Sequence, residues 1–236
     1  MEIKELLQEG IRQLEVTVEP AVCRRLKDYL ELLEKFSFLG LTGYKTPEEL
    51  AQFLILESLP ILRLIPSGKS RLLDIGSGGG VPGLVLKIAR PDLSVTLLEA
   101  TKKKAAFLET VKTRMNLERL EIIAERAETA AKEAAYRENF DLVTARALAA
   151  LPTLLEYALP FLKTGGRLLA LKGEKFREEI DSAQKAMKIL KAEIREIHGY
   201  RLPFSGVEGK IVEIVKTAPT PQRFPRQVGM ARKNPL

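Results

Sequence analysis

One cysteine and one histidine among 236 residues set the first limits. A lone cysteine excludes an internal disulfide framework, and together the two offer too few soft ligands for a zinc centre. Long apolar runs are missing as well, for none approaches the roughly 18 residues that a membrane span needs. The start, Met1-Glu2-Ile3-Lys4-Glu5, lacks the apolar stretch of a secretory signal. A cytoplasmic protein without metal or membrane contact is expected. Acids are absent from 216–236, where Lys216, Arg223, Arg226, Arg232 and Lys233 stand unopposed.

What is present suits a globular chain. Hydrophobic residues make up 45% and charged residues 29%, and the length supports one full α/β domain with an appendage. The net charge of +7 is unevenly spread: residues 1–66 hold 8 basic against 11 acidic side chains. Such asymmetry suggests a polyanionic partner approached from one side. A generally basic protein with a solvated tail is the plain alternative.

Residues 1–66 read as a helical segment, with Ile3, Leu6, Leu7, Ile11 and Leu14, then Val22, Leu26, Tyr29, Leu30 and Leu33, at helical spacing. Cys23 falls beside that apolar face, as a packed thiol rather than a nucleophile. Thr46-Pro47-Glu48-Glu49 has the form of a helix start, and the helix it opens runs toward Pro66. Residues 67–216 alternate strand and helix. Strands are read at Leu72–Ile75, Val95–Leu98, Leu120–Ile123, Leu142–Thr144 and Leu168–Leu171, and helices at Lys102–Met115, Ala127–Ala135, Leu151–Leu162 and Lys175–Ile194. This pattern means a mostly parallel sheet covered on both faces, a Rossmann-like α/β fold. Ile194–Tyr200 and Gly209–Lys216 lack a helix between them and are read as an antiparallel hairpin at one edge. In 217–236, Pro219, Pro221, Pro225 and Pro235 argue against a helix, so an extended basic arm is expected, mobile in the free protein and holding RNA phosphates. Its removal is then expected to leave cofactor affinity intact.

The chain turns on Leu72-Leu73-Asp74-Ile75-Gly76-Ser77-Gly78-Gly79-Gly80-Val81-Pro82-Gly83, a short strand passing through glycines into a helix, with Pro82 suited to the first helical position. Two registers compete. Gly78, Gly80 and Gly83 fit the dinucleotide spacing. Asp74 to Gly80 fits D-x-G-x-G-x-G, and a carboxylate at that strand end repels a pyrophosphate while attracting the sulfonium and ammonium of S-adenosylmethionine. The methyl donor is favoured. Glu99, ending the next strand, sits at the offset where an acid holds a ribose hydroxyl pair, for either cofactor.

Taken together, these residues resemble the bacterial 16S ribosomal RNA guanine-N7 methyltransferase G family, also called GidB. The likeness is carried by Asp74 to Gly83, Arg90-Pro91, Leu97-Leu98-Glu99, Lys104 to Leu108, Arg126-Ala127-Glu128, Thr144-Ala145-Arg146-Ala147, Ala170 to Gly173, and the ending from Arg223. The resemblance implies S-adenosylmethionine as cofactor, 16S rRNA or the 30S subunit as partner, and methylation of guanosine N7 in the decoding-region loop; a monomer is expected. It implies donor contacts at Gly76 and Val81, at Glu99, Ala100 and Thr101, at Ala127 and Glu128, and at Arg146; Asp74 and Gly78 join them from the turn itself. Two departures lie in the helical segment. The family's Asn-Leu-Thr-Ala stands here as Gly40-Leu41-Thr42-Gly43, and its Arg-His-Ile-x-Asp-Ser-Leu as Phe53-Leu54-Ile55-Leu56-Glu57-Ser58-Leu59, which loses the basic pair and keeps an acid.

N7 offers a lone pair in the ring plane, so its methylation needs alignment and a compatible field but no general base. Arg146, after the fourth strand, is the candidate for the arriving base; guanine O6, a phosphate, the donor carboxylate and a structural salt bridge are its possible partners. Lys172, closing the fifth strand, is a second candidate on the RNA side. Lys102, Lys103 and Lys104 crowd a helix start, facing either a phosphate backbone or solvent. Other readings of the chain are a methyltransferase of small molecules or another RNA, a nicotinamide oxidoreductase, and a non-catalytic RNA-binding module.

Overall fold

Leu72 and Leu73 point to opposite faces of the first strand, and the apolar interior divides along that alternation. A computed structural model describes residues 2–236. Seven strands form one sheet: β1 (Arg71–Ile75), β2 (Ser94–Leu98), β3 (Leu120–Ile123), β4 (Phe140–Arg146), β5 (Leu162–Lys172), β6 (Ala192–Arg201) and β7 (Glu208–Lys216). Their order is β3-β2-β1-β4-β5-β7-β6. The first five run parallel, and β7 lies antiparallel between β5 and β6. The alternation of β and α and the edge hairpin are thus as the sequence implies.

One face carries α1 (Ile3–Gln13), α2 (Pro20–Lys35), α4 (Gly83–Ala89) and α5 (Lys102–Arg114); Leu26, Leu30, Leu86 and Phe107 share a single core with Leu72 and Leu97 of the sheet. The other face carries α6 (Ala127–Ala130), α7 (Leu151–Ala158) and α8 (Phe176–Leu190), packed on Leu73, Val143 and Ala170. Among the described residues no helix is long and apolar enough to cross a membrane.

Several local expectations change. Thr46 does cap α3 (Pro47–Leu50), with Glu49 completing a capping box, but from Ala51 to Leu56 the helix widens to the i→i+5 pattern and then tightens over Leu59–Leu64. Pro82 caps α4 from outside and Gly83 begins it. The α6 helix ends after one turn, and α8 ends at Leu190 because Lys191 takes a left-handed conformation (φ 60°) that redirects the chain into β6.

The largest correction concerns 217–236, which is neither extended nor free. Proline bars a long helix, yet it does not stop apolar side chains from filling a cleft. Phe224 and Ala231 are buried, and α9 (Met230–Lys233) forms a short helical turn against α7. The Arg226 guanidinium grips both carboxylate oxygens of buried Glu156, and Thr153 Oγ1 donates to the Ala231 carbonyl at 3.0 Å. Lys216 lies wholly inside, donating to Glu138 and to the carbonyls of Leu159 and Leu162. Arg223, Arg232 and Lys233 are left as the exposed cations of this stretch.

Candidate active site

Strand order reverses between β1 and β4, and in α/β sheets the crevice above such a reversal is where ligands bind. Three cavities with shared walls line this carboxyl edge. One of about 390 Å³ lies between the glycine turn and the helical segment, walled by Leu41, Tyr44, Gly76, Gly78, Val81 and Arg146. One of about 680 Å³ covers the ends of β1 and β2, walled by Ile75, Leu98, Ala100, Ala127, Glu128 and Tyr157, and by the tail. The third, about 650 Å³, lies over β4 and β5 and meets Glu57, Arg146, Lys172 and Glu179.

The turn is held from below and behind. Asp74 is fully buried beneath it; Thr144 Oγ1 donates to one carboxylate oxygen at 2.8 Å, and the Gly83 amide to the other at 3.2 Å. Burial pushes this carboxyl up to about 6, against the opposing pull of those hydrogen bonds. A Cβ on Gly83 would stand 2.7 Å from Asp74 Cβ, so only glycine lets the helix start approach so closely. From the other side, the buried Tyr29 hydroxyl donates to the Gly79 carbonyl at 2.6 Å. Glu99 is buried too, accepting from the Gly78 amide at 2.9 Å and from the Thr101 amide at 2.7 Å. Gly78 itself (φ 56°) faces open space, with nothing closer than 3.9 Å to where a Cβ would stand.

This geometry separates the predicted site residues. Gly76, Gly78, Val81, Ala100, Ala127, Glu128, Arg146 and Lys172 line cavities. Asp74, Glu99 and Thr101 do not: the two carboxylates accept amides of the turn, and the Thr101 amide donates to Glu99. Arg146 is tied on two sides: Nε donates to Glu57 at 2.7 Å and a terminal nitrogen to the Phe53 carbonyl at 2.6 Å. Glu57 accepts in turn from the Tyr200 hydroxyl at 3.2 Å, so the arginine stands at a junction of the helical segment, β4 and β6. Lys172 is not a free cation. Its ammonium donates to the Ala149 carbonyl at 2.9 Å and to Glu179 at 2.6 Å, and Glu179 also accepts from the Leu151 amide. Lys172 thereby fixes the loop between β4 and α7.

Sequence reasoning missed Tyr29, Thr144, Glu57 and Tyr200. Glu57 carried a signal, as the acid kept where the basic pair is lost, and Thr144 another, as the first residue of Thr144-Ala145-Arg146-Ala147. Ser58, buried in the same helix, donates to the Leu54 carbonyl and lines none of these three cavities. Cys23 is buried, with its thiol pushed up by burial.

The residues fit a nucleoside bearing positive charge better than one bearing phosphates. A pyrophosphate needs free amides at the helix start. Here the Gly83 amide already serves Asp74, and two carboxylates sit under the turn. Apolar walls beside the second strand end, an open Gly78 and the adjoining Glu99 suit an adenosyl group.

Fold and site together define an S-adenosylmethionine-dependent methyltransferase. Solved structures sharing the fold include TYW2 of P. horikoshii in complex with MeSAdo (TM-score 0.53, 13% identity, 69% of this chain and 62% of that one) and TrmN of Thermus thermophilus (TM-score 0.51, 17% identity, 68% and 48%). Residues 22–203 match the family model described as GidB, rRNA small subunit methyltransferase G. Proteins named ribosomal RNA small subunit methyltransferase G are 39% identical in Pelotomaculum thermopropionicum, over 99% of both chains, and 44% identical in Chloroflexus aggregans, over 84% of this chain and 82% of that one. The chain belongs to the rRNA small subunit methyltransferase G family and is an S-adenosylmethionine-dependent rRNA methyltransferase.

Proposed function

We propose that the chain methylates N7 of a guanosine in the decoding-region loop of 16S rRNA, as a monomer in the cytoplasm, on the free rRNA or the 30S particle. The observation that carries this reading is Arg146, held by Glu57 and Phe53 in the wall shared by two cavities, with its other terminal nitrogen uncommitted among the described residues. Beside the donor, a guanidinium there donates to guanine O6 and leaves the N7 lone pair free to attack. The Tyr44 ring, backed by Phe53 at 5.1 Å between centroids, gives a splayed base a surface to stack on.

S-adenosylmethionine supplies an electrophilic methyl on a cationic sulfur. The protein's part is alignment. Tyr29, Asp74 and Glu99 hold the turn, Lys172 and Glu179 hold the loop opposite, and Arg146 orients the base. Since N7 carries no proton, the engagement of Glu57 with Arg146 and Tyr200 costs the reaction nothing.

A 16S transcript made with 7-deazaguanosine tests this reading, because carbon replaces the reacting nitrogen. Labelled methyl should enter the ordinary transcript and not the substituted one. Equal incorporation into both would refute N7 as the acceptor.

A further inference from the structure

The cavity beside the second strand end has a wall that the methyltransferase sheet does not provide. Val228, Gly229, Arg232, Lys233 and Pro235 line it, together with Ile75, Ala100 and Ala127 of the sheet side. This part of the tail is seated by groups that themselves border the cavity. Glu128, buried on α6, accepts the Gly229 amide on Oε1 at 2.9 Å, and Thr153 of α7 donates to the Ala231 carbonyl. Farther from the cavity, Arg226 clamps Glu156 through two nitrogens, its backbone amide also donates to Glu156, and Arg137 donates to the Thr220 and Phe224 carbonyls.

We propose that the tail is the outer wall of the S-adenosylmethionine site, and that docking of residues 226–235 and binding of the adenosyl group strengthen one another through Glu128. A carboxylate fixed on one oxygen by the Gly229 amide presents its other oxygen in a set direction; with the tail released, the same side chain is free to turn and the cavity loses a side. By linkage, whatever the docked tail adds to donor affinity, the donor adds to tail docking. The basic residues at 226–235 thus belong first to the cofactor and not to RNA. This reverses the expectation that loss of the tail spares donor affinity.

Arg226 is the position for a test, because it anchors the tail without lining the cavity. In Arg226→Ala, the affinity for S-adenosylhomocysteine measured by calorimetry should fall about ten-fold, in the range of ordinary coupling between sites. Trypsin cleavage after Arg223, Arg232 and Lys233, followed by mass spectrometry, should quicken by a similar factor, with the circular dichroism of the sheet retained. Faster cleavage with unchanged affinity would overturn the proposal. Should the variant fail to fold, the wild-type protein decides: saturating S-adenosylhomocysteine must slow tail cleavage, and absence of protection overturns the proposal. Absence of any S-adenosylhomocysteine binding to wild type would instead overturn the cofactor assignment, so the two failures are distinguishable.

Discussion

Arg146 and Glu57 lie 2.6 Å apart across 89 residues of sequence, both largely buried, and their contact joins the helical segment to the methyltransferase sheet. Arginine suits the place because its planar fork reaches Glu57 and the Phe53 carbonyl from one rigid group. Lysine keeps the charge and loses the fork. Arg146→Lys should lower the single-turnover methylation rate on rRNA about 30-fold, the equivalent of roughly 2 kcal/mol of positioning. Donor affinity should move much less. A rate within three-fold of wild type would remove Arg146 from the alignment role.

Two glycines of the turn should part company when each becomes alanine. At Gly78 there is room for a Cβ, so Gly78→Ala costs only the strain of a positive φ, about 1 kcal/mol, while filling the space we propose for the donor. At Gly83 the Cβ runs into Asp74, and overpacking there should cost about 1–3 kcal/mol. Urea unfolding with calorimetry should find Gly78→Ala folded and weak in donor binding, and Gly83→Ala destabilised.

Much of this was legible in one dimension. Apolar runs separated by helical spacing give the five parallel strands, and the missing helix after Lys191 gives the edge hairpin. The turn and Glu99 stand where spacing puts them. What spacing does not carry is the partner of a charge. Arg226 reads as a phosphate ligand until Glu156, 70 residues away, is found against it, and Lys172 reads as a free cation until Glu179 folds back onto it. Asp74 reads as a direct ligand of a cation because a strand end gives no warning that both its oxygens will be taken by Thr144 and Gly83.

Buried Asp74 predicts a pH dependence of definite sign. Its carboxyl titrates near 6 in the folded protein and near the ordinary 3.8 when unfolded. Between those values the folded state keeps a proton that the unfolded state has lost, so stability falls as pH rises through the window and levels off above it, by about 3 kcal/mol in all. A cationic donor favours the ionised form, so donor affinity should rise over the same interval. Asp74→Asn should flatten both curves and bind donor weakly throughout; a wild-type affinity that is level from pH 5 to 8 would contradict the electrostatic role.

Tyr29→Phe should leave the Gly79 carbonyl buried without its donor, at a cost of about 1–2 kcal/mol in urea unfolding. Because that carbonyl belongs to the turn, donor affinity should weaken as well. A variant with unchanged affinity would make Tyr29 a core residue only.

The most direct test of the account is to map the methyl group. After incubation of pure protein with labelled S-adenosylmethionine and 16S rRNA or 30S particles, nuclease digestion and mass spectrometry should find one N7-methylguanosine, in the decoding-region loop. A methyl group on an exocyclic amine, on a ring carbon or on a ribose would contradict the account.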